Sequence, residues 1–366
     1  MKRTAWRLFA LGFAAAVIAA ACTGGGGAGD WNVAYDKDKA KDQAKEFITY
    51  GIPDDWANYG ESIKAFCDKN GFTCAHKDTD MSSLQEITNF DAEKNNPVAI
   101  AADIGIQFGP VAEAKGVVPS YLPPNAADLP QSFKSKTGGW VATFVGVPGF
   151  NVNVKALEDK GIPIPTKWSD LVKPEYKGLI GIGTIGESGT ATTSWLAMTI
   201  AAGGSLDNLQ PGIDFGKQLL PNIEGVPEGG DPEMERGEVP IQNKYDFNLI
   251  AQANRMAEKG IEVRTVIPED GSIYAASALM VNKYNTAKMD VAKMFMEWVL
   301  SDEGQTVFAE FGARPVRYVL GTLTLPADAK AKWLSDDLYT KIQQVDLTTI
   351  TIDKVKDIWN TEVLGQ

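Results

Sequence analysis

Six consecutive residues, Gly186-Glu187-Ser188-Gly189-Thr190-Ala191, carry the most chemistry in this 366-residue chain. Small side chains let a backbone approach a ligand closely, and hydroxyls at the head of a helix accept its orphan N–H groups. The stretch follows the strand-like Leu179-Ile180-Gly181-Ile182-Gly183 and leads into an apolar run over 195–202, so a strand, a turn and a helix are predicted. A helix N-terminus carries roughly +0.5 charge, and phosphate, sulfate or carboxylate groups sit well against it. Ser188 and Thr190 thus have two readings, ligand contacts or simple caps. No Arg or Lys lies within the stretch, so neutralisation of an anion has to come from elsewhere. A nucleophile elbow is a poor match. Thr190 stands where that pattern needs its second glycine, and the single histidine, His76, lies upstream of the serine instead of downstream. Neither an enzyme nor a cofactor or metal site is expected.

The start of the chain sets the compartment. Lys2, Arg3 and Arg7 precede the apolar run 8–21, which ends in Ala19-Ala20-Ala21-Cys22. A basic segment, a short apolar core and small residues before a cleavage point make an export signal over 1–21, too short to span a membrane. Cys22 after three alanines resembles the lipobox of bacterial lipoproteins, with Ala19 standing where Leu or Val is more usual. That implies a lipid on Cys22; an ordinary cleaved signal with an incidental cysteine is the other reading. The glycine-rich stretch 22–30 then serves as a flexible tether. Loss of the three basic residues in 1–21 moves the formal net charge from −12 to −15. Such a surface keeps a protein soluble, suits a monomer and excludes nucleic acid as a partner. Cys67 and Cys74, an even pair in an exported chain, read as a disulfide. A metal site with His76 as third ligand is the alternative, and no fourth ligand stands at a suitable spacing.

The elements around these residues alternate. Strand-like runs at 46–50, 72–76 and 98–106 are separated by helical patterns at 56–69 and 84–93, the second opened by the capping-box pair Ser83 and Glu86. Such alternation predicts a parallel α/β sheet, which binds ligands at the carboxyl ends of its strands. The extended run 140–154 reads as a crossing to a second α/β unit, and 273–281 as the return. Val291, Met294, Phe295, Trp298 and Val299 recur at helical spacing and read as core. Too long for one simple core, the chain divides into a first lobe at 31–142 and 272–366, with the C-terminal helices, and a second at 143–271.

Pro165-Thr166-Lys167-Trp168-Ser169-Asp170-Leu171, continued by Pro174-Glu175-Tyr176-Lys177-Gly178, resembles a segment of the extracellular solute-binding proteins of bacterial ABC importers. So does the block from Ala292-Lys293-Met294-Phe295 through Gly312-Ala313-Arg314-Pro315-Val316-Arg317. The branch is the one handling ferric iron, polyamines, thiamine, aminoethylphosphonate and sugar phosphates. The resemblance implies a type 2 periplasmic-binding-protein fold, two α/β lobes of parallel-rich mixed sheets joined by two crossing strands. It also implies a small-molecule solute, a permease and its ATPase as partners, and anchorage on the outer face of a bacterial membrane through the lipid alone.

A cleft between lobes draws its site from the loops of both. From the first come Asp54, Asp55, Trp56, Asn58 and Tyr59, then Asp80, Ser82 and Ser83, and Asp103 with Gly105. From the second come Glu187, Ser188, Gly189, Thr190, Tyr245, Asp246 and Asn248, with Ser272 and Tyr274 near the return crossing. Hydroxyls and helix N–H groups favour a phosphorylated, phosphonate or other anionic or zwitterionic solute. The acidic and aromatic members instead suit an amine through ion pairs and cation–π contact, as in a polyamine receptor. Ferric iron is disfavoured, because no Tyr-Tyr pair exists and His76 stands alone. A sensory or structural lipoprotein and, last, an enzyme are the remaining alternatives.

Overall fold

A computed structural model describes residues 30–223 and 229–366. The expected export signal, Cys22 and all but the last residue of the tether lie outside the described residues.

In chain order the strands are β1 (Phe47–Tyr50), β2 (His76–Thr79), β3 (Ala101–Gly105), β4 (Trp140–Gly146), β5 (Pro148–Asn153), β6 (Ile180–Gly181), β7 (Ile241–Tyr245), β8 (Val263–Val266), β9 (Ser272–Ile273), β10 (Ala275–Val281), β11 (Arg314–Pro315) and β12 (Ile342–Gln343). Two sheets hold most of them. One runs β11-β4-β10-β3-β1-β2 and the other β6-β7-β5-β8, with β12 and β9 paired separately. In the first, β2, β1 and β3 are parallel, and β10 runs antiparallel to both β3 and β4. In the second, β6 is parallel to β7 and β5 antiparallel to β7 and β8. The predicted two-lobed mixed α/β class is the observed one.

The crossings follow from composition. Every residue of β4, β5 and β10 is buried, so their burial shows no alternation between a wet and a dry face. Only Val147 separates β4 from β5, so the chain passes from one sheet to the other in a single step. Helix Met289–Trp298 buries the Met and aromatic stripe, and Phe295 meets Phe47 and Phe66 edge-on at 5.1 and 5.5 Å.

Two expectations shift. The second strand is His76–Thr79, because Phe72 to Ala75 forms the turn closed by the Cys67–Cys74 disulfide. That bond also leaves no thiolates for a metal. The helix expected from 56 begins at Tyr59, since Ala57 and Asn58 take left-handed conformations (φ 48° and 73°) that a helix cannot hold. The last helix, Ile352–Ile358 continued by Trp359–Leu364, packs against helices Gly189–Ala201 and Gln210–Leu219. Trp359 meets Trp195 edge-on at 6.0 Å, and Gly216 leaves room for Trp359 and Val363.

Candidate ligand-binding cleft

The carboxyl ends of β1, β2, β3, β6 and β7 converge on one cleft of about 350 Å³ between the lobes. Helices Ser83–Ala92 and Gly189–Ala201 both begin there, one from each lobe, and residues at each start line the cavity. The lobes touch. Leu84 N donates to Glu187 O at 3.3 Å, and Gln107 Nε2 donates to Gly189 O at 2.9 Å and Thr193 Oγ1 at 3.0 Å. Gly105 and Gly189 meet so closely that a Cβ on Gly189 would lie 3.1 Å from Gly105 Cα. Trp56 closes the inner side against Tyr245 and Phe247, at 6.3 and 5.6 Å.

The first-lobe wall is acidic. Asp103, 6% exposed, accepts the Trp56 indole N–H at 2.7 Å and the Tyr59 hydroxyl at 2.9 Å. Burial pushes its carboxyl up to about 7 against those bonds. Glu86, 1% exposed, is held well above the carboxylate range by burial first, then by Asp103, Asp78 and Asp80. Its Oε2 and the Ser82 Oγ are buried without a hydrogen-bond partner. Buried polar atoms are nearly always satisfied, so these two are open to a partner from the cleft. Asp80 stands at the mouth, raised by burial and by the charge of Asp55.

No Lys or Arg lines the cavity among the described residues. On its rim the charge of Lys244 acts on Asp80, and Lys356 Nζ, from the last helix, lies 2.7 Å from Glu187 Oε1. Gly186, at φ 84°, allows that approach; a Cβ there would meet Lys356 Cβ at 2.7 Å. Ser188 caps its helix, accepting from Ala191 N at 3.3 Å, and also lines the cleft with Gly189 and Thr190.

Trp56, Asp80, Ser82, Ser83, Asp103, Gly105, Glu187, Ser188, Gly189, Thr190 and Tyr245 thus gather at one cavity. The other expected residues stand elsewhere. Asp54, Asp55 and Asn58 line a separate open pocket on the outside of the first lobe. Tyr59 is buried beneath Asp103 and reaches the cleft only through it. Asn248 is half-buried on helix Asp246–Glu258, outside the cavity. Ser272 is spent on Pro148 O at 2.8 Å between the crossings, and Tyr274 lines a small cavity of about 120 Å³ beside β10. Glu86, Gln85, Thr184 and Ser277 line the cleft without having been singled out as ligand contacts; the cap pairs Ser82 N with Gln85 Oε1 at 3.0 Å, not Ser83 with Glu86 as expected, and so leaves the Glu86 carboxyl to the cleft.

Asp246 holds the junction of the lobes instead of a ligand. It accepts from Val147 N and Phe247 N, both at 3.0 Å, and from the Tyr339 hydroxyl at 2.7 Å, while the Arg314 guanidinium stacks 4.0 Å over Tyr339. Asp246→Ala strands these buried donors and should cost on the order of 3 kcal/mol in urea unfolding. Solute affinity of the folded fraction should stay unchanged.

The comparisons agree with this architecture. The family model described as bacterial extracellular solute-binding protein matches residues 101–341. An uncharacterized protein of Haemophilus influenzae is 30% identical over 227 residues, 59% of this chain and 62% of the relative. The chain thus spans less than two thirds of that curated relative's length. The periplasmic binding protein AfuA from Actinobacillus pleuropneumoniae, solved with exogenous fructose-6-phosphate, superposes with a TM-score of 0.71 at 23% identity, covering 87% of this chain and 99% of AfuA. The ferric binding protein from Campylobacter jejuni gives 0.63 at 22% identity, over 86% and 98% of the two chains. PotD from Streptococcus pneumoniae, a spermidine/putrescine ABC transporter substrate-binding protein, gives 0.59 at 16%, over 88% and 98%. At these identities the likeness carries the fold, type 2 periplasmic binding protein. With well over half of its length matched by the family model, the chain belongs to the bacterial extracellular solute-binding proteins.

Proposed function

We propose that this protein is an extracytoplasmic receptor, tethered by a lipid on Cys22, that captures a small polar solute by lobe closure and delivers it to an ABC permease and its ATPase. The observation that carries the reading is a cavity walled by both lobes in which Glu86 Oε2 and Ser82 Oγ are buried and unpartnered. Closure about the two crossings is how such lobes bury a ligand. The first lobe then comprises 31–142 and the chain from 272, and the second 143–271 together with the last helix.

The ligand has two unlike ends. Two helix starts with Ser82, Ser188 and Thr190 suit an oxyanion, and Lys356 stands at the rim as its counter-charge. Glu86 and Asp80 suit hydroxyl or ammonium donors. A phosphorylated polyol or a zwitterionic phosphonate has both ends, and the fructose-6-phosphate held by AfuA is of that kind. A polyamine is the second reading, favoured by the acidic wall and by Trp56 and Tyr245. Ferric iron, for which the Campylobacter jejuni neighbour is named, is the third reading.

Calorimetric titration with fructose 6-phosphate, 2-aminoethylphosphonate, spermidine and ferric citrate tests the proposal. A phosphorylated or phosphonate compound should bind, and binding of spermidine alone would remove the oxyanion. Ser188→Ala with Thr190→Ala should weaken that binding at least ~10-fold, because a contact to a charged group is worth about 1.5–3 kcal/mol. The lost cap should cost ~1 kcal/mol of stability.

A further inference from the structure

The chain's single histidine, His76, stands in the edge strand β2 and ties a surface carboxylate to the back of the cleft. Asp54 Oδ1 lies 2.8 Å from Nδ1, and Thr49 Oγ1 lies 2.8 Å from Nε2. Thr49 Oγ1 also lies 2.7 Å from Asp78 Oδ1, which accepts the Ile52 N–H at 2.9 Å.

Three side-chain hydrogen bonds need three hydrogens. Thr49 brings one and a neutral imidazole one, while two ionised carboxylates bring none. The third is an added proton. It can make His76 an imidazolium, it can sit on Asp78 with Thr49 donating to the ring, or it can sit on Asp54. Every arrangement that keeps all three bonds contains it.

We propose that Asp54, His76, Thr49 and Asp78 form a proton-binding site that sets the charge behind the cleft wall. Asp78 faces His76 and Asp80 on its own side and Glu86 and Asp103 across the lobe. Around His76 the open pocket also presents Asp55, Glu61, Lys64 and Asp68. Burial of Asp78 opposes its ionised form, which favours keeping a proton in the chain of bonds. When that proton leaves, one bond is lost and negative charge grows next to Glu86 and Asp103. The Ile52 bond carries the change into the loop that places Gly51, Pro53 and Trp56 in the cleft. The proton enters through the outer pocket, so a closed cleft still exchanges it with solvent.

Because the protein has one histidine, long-range ¹⁵N–¹H spectra of the labelled protein report this ring alone. Across a pH titration the ring nitrogens and the Asp78 carboxyl carbon should shift together. In Thr49→Val the two should no longer shift together. Independent shifts of the ring and of Asp78 in the unmodified protein overturn the proposal, as does an unaltered common shift in Thr49→Val. If Thr49→Val does not fold, His76→Asn at the sheet edge decides: the pH at which the Asp78 carboxyl carbon shifts must move, and an unmoved one overturns the proposal.

Discussion

Gly189→Ala should leave the protein as stable as before, or slightly more so, while weakening solute capture by roughly 5- to 100-fold. The two effects act on different states. Gly189 begins helix Gly189–Ala201 with no positive φ, so alanine fits its backbone and improves helix propensity by up to ~1 kcal/mol. The new Cβ, however, would lie 3.1 Å from Gly105 Cα, Gly105 N and Ser83 Oγ, all on the opposite lobe. Backbone on one side and a helix start on the other cannot both give way. Overpacking of this kind costs about 1–3 kcal/mol, and it falls on the closed arrangement alone. Capture needs that arrangement, so apparent affinity drops by the same free energy, tenfold for each ~1.4 kcal/mol. Thermal unfolding without solute and calorimetry with it separate the two. Unchanged affinity would mean that the contact between Gly105 and Gly189 is absent from the solute-bound state.

That contact also shows what the sequence could and could not reveal. The stretch 186–191 was legible as a strand–turn–helix with small residues. Its partner glycine lies on another lobe, and nothing in local spacing says which glycine it meets. The motifs that pointed to the family were scaffold instead of site. Trp168 is fully buried, donates its indole N–H to Gly271 O at 3.0 Å, and shares Asp270 with Ser169 through backbone N–H groups. Gln305, in the second motif, donates to Thr143 O and Val299 O. Such residues fix the turn before the return crossing and the seat of a helix on the sheet, which is why they betray the fold and say nothing of the ligand. Glu86 was legible only as a helix-start residue; its function depends on burial beside Asp103, which is a tertiary fact. Lys356, the cation missing from the stretch, comes from 169 residues further along the chain. Asp54 and Asp55 share a loop with Trp56, yet only the tryptophan turns into the cleft.

Stability should fall as pH rises from about 4 to about 7, and Asp103→Asn should flatten that slope. Burial pushes the Asp103 carboxyl of the folded chain from the ordinary 3.8 up to about 7. Between those values the folded chain holds a proton that the unfolded chain has released, so raising the pH favours unfolding. At about 1.4 kcal/mol per unit the ceiling is roughly 4 kcal/mol, and solvent relaxation makes 2–3 kcal/mol the practical expectation. Glu86, raised in the same direction, adds to the slope. Asparagine keeps the volume of Asp103 and can still accept the Trp56 indole N–H, so the variant should fold. Urea unfolding at pH 4.5, 6 and 7.5 checks the effect, and an undiminished slope in Asp103→Asn would assign it to other groups. The same carboxyls link stability to capture. A solute donor placed against Glu86 favours the ionised form, so binding near neutral pH should release protons. The calorimetric enthalpy should then change with the ionisation enthalpy of the buffer, and Glu86→Gln should remove most of that dependence. A solute recognised through its oxyanion alone would show no such dependence, which makes buffer exchange a direct test of whether the acidic wall touches the ligand.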